Sequence, residues 1–279
     1  MMKTILVPTD FSANSKSGIR FAIHWATLQK LKLVFVHILH VLRPTQWSDS
    51  YFKEFKNQEE KFCKIKFEKF IAGIYRQMNL KQGKYSSIII YGISADVTIL
   101  DYCRKSPGID YICISTRGAG KFKKIFGSNT GNLITKSEVP VLAIPKTYRF
   151  ADIKSVLYAT DFRNYSEELK EVFAFAKPLK TKVEVVHFSW PYEIMFDGKL
   201  IEAAFKKKFK YGFRLFFEKN DGVRSVIENL QNQIRIRKPS VVIMFTDQKR
   251  TIFQKLFFSS KSEELSFQTK VPLLVFNKN

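Results

Sequence analysis

The stretch Ser115–Asn129, STRGAGKFKKIFGSN, decides the fold class of this chain. It follows the apolar run Tyr111–Ile114 and precedes a segment with helical spacing. A strand that opens into a glycine-containing turn and then a helix start is typical of phosphate binding. The unpaired backbone N–H groups of a helix start face outward, and glycine lets the backbone approach an anion closely. A surface loop that happens to contain glycines is the alternative at this point.

The composition favours about two domains with an excess of positive charge. The chain has 279 residues, of which 45% are hydrophobic, and this is enough for two substantial cores. Lysine and arginine number 47 against 25 aspartate and glutamate residues, which gives a formal net charge of +22. Such a charge favours anionic partners. The basic residues are scattered rather than massed, which argues against nucleic acid as the partner.

The cysteine and histidine patterns predict no metal site. The three cysteines show no CxxC spacing, and Cys113 lies in an apolar run typical of a core. The four histidines form no HExxH motif, although His37 and His40 at the end of a strand leave a ligand or metal contact open. We expect a cytoplasmic protein in a reducing compartment, without a membrane segment, because no run approaches ~20 apolar residues.

Apolar runs alternate with helical patterns through the first half of the chain. Short strands are predicted near residues 3–8, 32–39, 87–91, 111–114 and 139–144. Helices are predicted after Ser12 or Asn14 as the capping residue, and over about 51–78, 96–104 and 129–136. This alternation predicts an α/β, doubly wound (Rossmann-like) domain, in which a five-stranded parallel sheet carries helices on both faces. Ligands are expected at the carboxyl ends of the strands.

The second half of the chain repeats the first. The run Asp152–Phe162 contains a match to Met2–Phe11 at an offset of 151, so that Asp161 corresponds to Asp10. Four further matches follow in the same order, and they pair 183–188 with 33–38, 241–246 with 111–116, 253–257 with 122–126, and 270–276 with 138–144. Five ordered matches predict a tandem duplication. We place the two domains at residues 1–147 and 148–279.

These residues resemble the universal stress protein family in its tandem, two-domain form. The resemblance spans the chain and rests on ILVPTDFS, on VHIL, on Gly92, on STRGAGKFKKIFGSNT and on VPVLAIP. Family members that bind nucleotides carry a glycine, two residues, a second glycine, nine residues and then Gly-Ser or Gly-Thr. The resemblance implies that Asp10 faces the ribose, that the backbone of Ile38 meets adenine, and that the glycine loop holds the phosphates.

The resemblance gives a set of candidate residues for binding ATP or another adenine nucleotide. Arg117, beside the loop, would neutralise phosphate charge, with a solvated surface arginine as its alternative. The candidate residues are Pro8, Thr9, Asp10, Ile38, Gly92, Ser115, Arg117, Gly118, Gly127, Ser128 and Asn129.

The loop departs from the family pattern at two points. Ser115 stands where the first family glycine is expected, and only eight residues separate Gly118 from Gly127. The serine still offers its backbone N–H, and Gly120 lets a shorter loop adapt.

The second domain lacks the loop glycines altogether. Phe245, Gln248, Phe258 and Ser259 occupy the aligned positions, where side chains would crowd a phosphate. Asp161 persists and is explained equally well as a turn residue. We therefore expect the second domain to bind no ATP in the family manner and to serve as a packing partner. The resemblance suggests that the domains pair through their final strands, 139–144 and 271–276, as an intrachain pseudo-dimer, and it leaves a further homodimer open.

The sequence thus predicts a cytoplasmic universal stress protein that binds ATP or a related adenine nucleotide in its first domain. No residue is an evident general base, so we expect a role in the stress response without efficient catalysis, and no enzyme. Two alternatives remain. One is a nucleotide-free interaction scaffold of the same fold. The other is a binder of polyanions such as nucleic acid or lipid, which would use the basic charge.

Overall fold

A computed structural model describes residues 2–116, 128–149, 151–160, 162, 164–189, 198–219, 226–247 and 270–278. The chain forms two compact units. The described residues up to 149 belong to the first unit, and those from 151 onward belong to the second.

The first unit alternates strands with helices as the sequence predicts. Its elements are β1 Thr4–Pro8, α1 Lys16–Gln29, β2 Lys32–Leu39, α2 Asp49–Gln77, β3 Ser86–Tyr91, α3 Ala95–Lys105, β4 Tyr111–Ser115, α4 Ser128–Lys136 and β5 Val141–Ile144. The strand order is β3-β2-β1-β4-β5, and every pair is parallel. The predicted five-stranded parallel sheet is confirmed.

The strand order creates a crevice at the carboxyl ends of β1 and β4. From β1 the chain winds outward through β2 to β3, and it then returns to the other side of β1 to form β4 and β5. The connections that leave the ends of β1 and β4 therefore diverge, and such a switch point is where open α/β sheets bind ligands. The pairing of Leu6 with Ile112 joins the two strands directly.

The core of the first unit lies between this sheet and the helices. Ile5, Leu6 and Val7 of β1 are fully buried, which fits a strand covered on both faces. Phe21 and Trp25, one turn apart on α1, are also buried and meet edge to face. Burial of each such side chain is worth roughly 1.5–3 kcal/mol relative to exposure. The Trp25 ring also lies 4.8 Å from that of Tyr111 on β4, so it packs α1 against the sheet.

The long helix α2 confirms the prediction for residues 51–78 to within two residues at its start. The hydroxyl of Ser48 accepts the backbone N–H of Tyr51 at 3.2 Å and caps the helix. The side chains of Cys63, Phe67 and Ile71 are buried at helical spacing.

The start of α1 corrects the predicted cap. Neither Ser12 nor Asn14 caps the helix; Ser15 is the N-cap residue, and its side chain makes no capping hydrogen bond. The Ser15 hydroxyl instead donates to the Ser12 carbonyl at 2.8 Å and accepts from Thr9 Oγ1 at 2.9 Å. The first turn of α1 is capped from another part of the chain, by Ser115 of β4.

The second unit has a sheet with the same pattern of strand order. Its elements are β6 Ser155–Thr160, α5 Tyr165–Leu179, β7 Lys182–Ser189, α6 Gly198–Phe209, β8 Phe213–Lys219, α7 Val226–Arg237, β9 Val241–Asp247 and β10 Leu273–Lys278. Its strands lie in the order β10-β9-β6-β7-β8, all parallel. The order matches that of the first unit when β6 is placed on β1 and β10 on β5.

Arg237, the last residue of α7, joins that helix to the sheet of the second unit. The Arg237 guanidinium lies 3.0 Å from Glu218 and 3.7 Å from Glu184, and its carbon stands 3.6 Å from the centre of the Phe216 ring. The planar group thus pairs with carboxylates while it stacks on an aromatic face.

None of the helices within the described ranges has the length and apolar composition needed to cross a membrane. Cys63, Cys103 and Cys113 are buried free thiols, so the prediction that Cys113 is a core residue is confirmed.

Candidate functional site

A cleft of about 250 Å³ opens at the carboxyl ends of β1, β2 and β4, where the strand order reverses. The beginnings of α3 and α4 and the turn between β1 and α1 complete its walls. The described residues that line it are Pro8, Thr9, Asp10, Ser12, Asn14, Ser15, Val36, His37, Ile38, Ala95, Ile99, Ile114, Ser115, Asn129 and Thr130.

The turn after β1 is held by its own side chains. Phe11 adopts a left-handed backbone with φ of 60°, which is uncommon for a residue other than glycine. Its N–H donates to Thr9 Oγ1 at 3.1 Å, and the N–H of Ser12 donates to Asp10 Oδ1 at 3.0 Å. The side chains of Thr9 and Asp10 therefore fix the turn, and Asp10 stands exposed at the rim of the cleft.

His37 supports the same turn from β2. Its Nδ1 lies 2.8 Å from the carbonyl oxygen of Thr9, and its ring centre lies 4.5 Å from that of Phe11. Because a carbonyl accepts, Nδ1 carries the proton and Nε2 is left as an acceptor. Burial lowers the His37 pKa, the Thr9 contact opposes that shift, and the nearby Lys66 lowers the pKa further.

The turn and its histidine recur in the second unit. Phe162 has φ of 59°, its N–H donates to Thr160 Oγ1 at 3.0 Å, and its ring lies 4.5 Å from that of His187. The Nδ1 of His187 contacts the Thr160 carbonyl at 3.0 Å. The turn is thus a property of both units, and His37 is explained by support of the turn. Among the described residues, no three His, Cys, Asp or Glu side chains are grouped to hold a metal ion.

Ser115 closes the end of β4 onto α1. Its hydroxyl accepts the N–H of Gly18 at 2.7 Å and the hydroxyl of Ser17 at 3.1 Å, and it donates to the Ser15 carbonyl at 3.0 Å. The approach is so close that a Cβ on Gly18 would lie 2.8 Å from Ser115 Oγ and 2.9 Å from the Ser115 backbone nitrogen. A side chain at position 18 would therefore displace the end of β4.

Asp96 joins the beginning of α3 to α4. It is almost fully buried, its Oδ1 accepts the hydroxyl of Ser94, and its Oδ2 accepts Asn132 Nδ2 at 2.6 Å. Burial alone would raise the Asp96 pKa, but the Ser94 and Asn132 hydrogen bonds and two backbone N–H groups bring the pKa below its ordinary value. The carboxylate thereby joins the first turn of α3 to α4, whose own first turn carries Asn129 and Thr130 to the cleft.

The structure brings together part of the predicted residue set. Pro8, Thr9, Asp10, Ile38, Ser115 and Asn129 line the cleft, whereas Gly92 is not among its lining residues. Ser128 is the first residue of α4. Arg117, Gly118 and Gly127 lie outside the described residues.

A family model described as the universal stress protein family matches residues 1–145, about half of the chain. The chain belongs to the universal stress protein family. A universal stress protein of Methanocaldococcus jannaschii is 24% identical over 158 residues, which are 52% of this chain and 96% of that protein.

Two solved structures are similar to this universal stress protein. A universal stress protein of Archaeoglobus fulgidus aligns with a TM-score of 0.70 at 18% identity, over 99% of this chain and 96% of that one, and it supports the fold. A second protein from the same organism, solved with dAMP, aligns with a TM-score of 0.33 at 19% identity, over 51% of this chain and 97% of its own. The dAMP is a ligand of that protein.

Gly92, just after β3, is explained by its contact with α3. A Cβ at this position would lie 2.0 Å from Thr98 Oγ1 and 2.9 Å from Thr98 Cγ2. The Thr98 hydroxyl is held in place because it donates to the Ser94 carbonyl at 2.7 Å.

We expect Gly92→Ala to lower the free energy of unfolding by about 2 kcal/mol, because the added methyl group overpacks this contact. In the Gly92→Ala/Thr98→Ala double variant, the loss should be about 1 kcal/mol smaller than the sum of the two single losses, as measured by urea unfolding. Gly108→Ala is the matched control, since a Cβ there meets nothing within 4 Å. Strict additivity of the two substitutions would contradict the assigned contact.

The sequence did not identify several lining residues of this universal stress protein. Ser15 and Thr130 are small polar residues near helix starts, and Ile99 and Ile114 are apolar residues of ordinary helix and strand patterns. Nothing in their local pattern distinguishes them from core or capping residues. For His37 the sequence did contain a signal. A Thr-Asp-Phe run followed by a histidine on the next strand occurs in both halves of the chain, with His37 in the first and His187 in the second.

In the second unit, large side chains stand at the corresponding positions. Tyr158 corresponds to Val7 at the same offset; it is fully buried, and its hydroxyl bonds to Glu168 and, at 2.8 Å, to Thr160 Oγ1. Phe245 stands where the first unit has Ser115, and its ring centre lies 5.6 Å from that of Tyr158. Leu169 takes the place of Gly18 and is buried. The second unit therefore lacks the close contact between strand and helix made by Ser115. Gln248, Phe258 and Ser259 lie outside the described residues.

Proposed function

We propose that this chain is a cytoplasmic stress-response protein whose first domain binds ATP or a related adenine nucleotide in the cleft, without efficient turnover. The observation that carries the proposal is the position of the cleft. It lies at the switch point of a parallel sheet, and Asp10, Ile38 and Asn129 of the sequence-predicted set line it together.

The order of the strands gives the proposed ligand a direction. Ile38 lies on β2, Asp10 follows β1 and Ser115 ends β4, and these strands are neighbours in that order. If adenine meets the backbone of Ile38 and the ribose meets Asp10, the phosphates extend towards β4 and the beginning of α4. The nucleotide then lies across the three strand ends.

The beginning of α4 is suited to the phosphates. Its first turn contains no acidic residue, and Asn129 and Thr130 face the cleft. A helix start carries unpaired N–H groups and the positive end of the helix dipole, and both favour an anion. Lys66, whose amine lies 4.8 Å from the centre of the Phe11 ring, adds a positive charge beside the turn.

The proposal assigns one nucleotide to each chain. Tyr158, Phe245 and Leu169 occupy the places of smaller residues in the first unit, and we propose that the second domain binds no nucleotide in this manner. The pairing of the two domains through their final strands stays a prediction from the family resemblance, as does a further homodimer.

The test is a calorimetric titration of the purified chain with ATP, ADP, AMP and GTP, with thermal unfolding measured in parallel. We expect saturable binding of the adenine nucleotides at one per chain, weaker binding of GTP, and a melting temperature that rises with ligand concentration. A phosphate-release assay should show little hydrolysis.

Absence of both heat and thermal stabilisation at millimolar ATP would contradict nucleotide binding. Two equivalent sites per chain would contradict the assignment to the first domain alone. Rapid phosphate release would show an enzyme instead.

A further inference from the structure

The hydroxyl of Ser115 contacts three groups at the start of α1. A serine hydroxyl has one proton to donate and two lone pairs to accept with. Here it donates to the carbonyl of Ser15 and accepts from the Gly18 N–H and the Ser17 hydroxyl, at 2.7–3.1 Å. Ser115 lines the cleft, but its hydroxyl proton is donated to the Ser15 carbonyl and one lone pair accepts the Gly18 N–H. The Ser17 hydroxyl divides its one proton between Ser115 at 3.1 Å and the Asn14 carbonyl at 3.2 Å. The hydroxyl of Ser115 is thus directed at α1 rather than at a ligand.

We propose that Ser115 is a positioning residue, whose hydroxyl clasps the end of β4 to the first turn of α1 and so fixes where the phosphates of a bound nucleotide meet the sheet. This inference rests on the proposed function. It concerns a residue that differs from the family glycine, and it assigns to the Ser115 side chain a task separate from ligand contact.

The clasp holds the strand end from one side while the sheet holds it from the other. The next residue, Thr116, is buried, and its N–H donates to the Ile144 carbonyl at 2.7 Å. Ser115 and Thr116 are therefore fixed to α1 and β5 respectively. Since β4 is the strand towards which the phosphates extend, displacement of its end changes the phosphate contacts and leaves those of adenine and ribose at β2 and β1.

Gly18 is the partner of Ser115 in the clasp, and it lies outside the lining of the cleft. A Cβ there would nevertheless press on both Ser115 Oγ and the Ser115 backbone. In the second unit the corresponding pair is Leu169 and Phe245, so the clasp belongs to the unit for which nucleotide binding is proposed.

The experiment compares ATP with adenosine, because adenosine has no phosphates. Dissociation constants of both are measured by calorimetry for the wild-type chain and for Ser115→Ala. We expect the ATP constant to rise about tenfold, since a small misplacement of a binding group is costly. The adenosine constant should stay within about twofold. Ser137→Ala is the matched control: this buried serine bonds to Val139 at 2.7 and 3.1 Å and does not line the cleft, so both constants should remain unchanged.

Gly18→Ala tests the clasp from its other partner and remains informative if Ser115→Ala does not fold. This variant should also raise the dissociation constant of ATP and leave that of adenosine unchanged. Equal losses of affinity for ATP and adenosine, or no loss of affinity in either variant, would overturn the inference. The Ser115 hydroxyl would then be only a helix cap, and the proposed function would stand. A wild-type chain that binds neither ligand would overturn both.

Discussion

Replacement of Asp10 by alanine is expected to weaken ATP binding by about a hundredfold. The proposed contact is between the carboxylate and the ribose hydroxyls, and hydrogen bonds to a charged group are worth about 1.5–3 kcal/mol. A loss near the upper end of that range corresponds to roughly two powers of ten in the dissociation constant. The measurement is a calorimetric titration of the wild-type and Asp10→Ala chains.

Two further variants separate the ligand role of Asp10 from its role in the turn. Asn at position 10 keeps an oxygen for the N–H of Ser12, a bond of 3.0 Å in the structure, but it removes the charge. Asp10→Asn should therefore unfold like the wild-type chain and still lose about tenfold in ATP affinity. Asp101→Ala, on the exposed face of α3, should leave ATP binding unchanged. If Asp10→Ala binds ATP as tightly as the wild type, Asp10 does not contact the nucleotide.

Asp96→Ala is expected to lower the free energy of unfolding of the first unit by about 3 kcal/mol, the largest stability effect that we predict. The substitution removes the acceptor of the Ser94 hydroxyl and of backbone N–H groups at the beginning of α3. It also leaves the amide of Asn132 without the oxygen that it meets at 2.6 Å. Urea unfolding followed by tryptophan fluorescence, to which the buried Trp25 of this unit contributes, measures the change.

The surface position 101 again supplies the control for this substitution. Asp101 pairs with Arg104 on the same helix while both side chains are half exposed or more, so Asp101→Ala should cost less than about 1 kcal/mol. A similar small loss for Asp96→Ala would show that the buried carboxylate does not hold α3 and α4 together.

The lowered pKa of Asp96 also sets the pH range of this effect. The pKa is below 3.8 in the folded chain and near that value when unfolded, so the unfolded state binds the proton more readily. The contribution of Asp96 is therefore fully present above its unfolded pKa and declines as the pH falls through the folded one. The stability difference between the wild type and Asp96→Ala should shrink only below about pH 4.

The order of strands and helices in the first unit could be predicted from the sequence because its signals are local. Apolar runs such as Ile5–Val7 and Tyr111–Ile114 mark buried parallel strands, and glycine, proline and polar residues mark their ends. The Thr-Asp-Phe run after β1 likewise pointed to the cleft. The same run recurs in the second unit and ends at Phe162, which has the same left-handed backbone as Phe11.

The contacts that shape the cleft could not be predicted, because they join residues far apart in the chain. Ser115 caps α1 across 97 residues, and Asp96 meets Asn132 across 36. Serine and aspartate at such positions fit a local cap equally well, which is why Ser12 and Asn14 were the predicted caps of α1. Gly92 was a candidate binding residue from the family resemblance, whereas its contact with Thr98 is known only from the packing of α3.

By itself, then, the sequence determined the parallel α/β sheet, the resemblance to the universal stress proteins and the strand ends at which a ligand is expected. Periodicity and motifs are properties of neighbouring residues, and they survive without coordinates. The tertiary structure decided which hydroxyl caps α1, which carboxylate joins α3 to α4, and that Tyr158 and Phe245 stand where the first unit has smaller residues. Those outcomes depend on distances of 2.6–2.8 Å and on the volumes of side chains, which only the packing of the folded chain fixes.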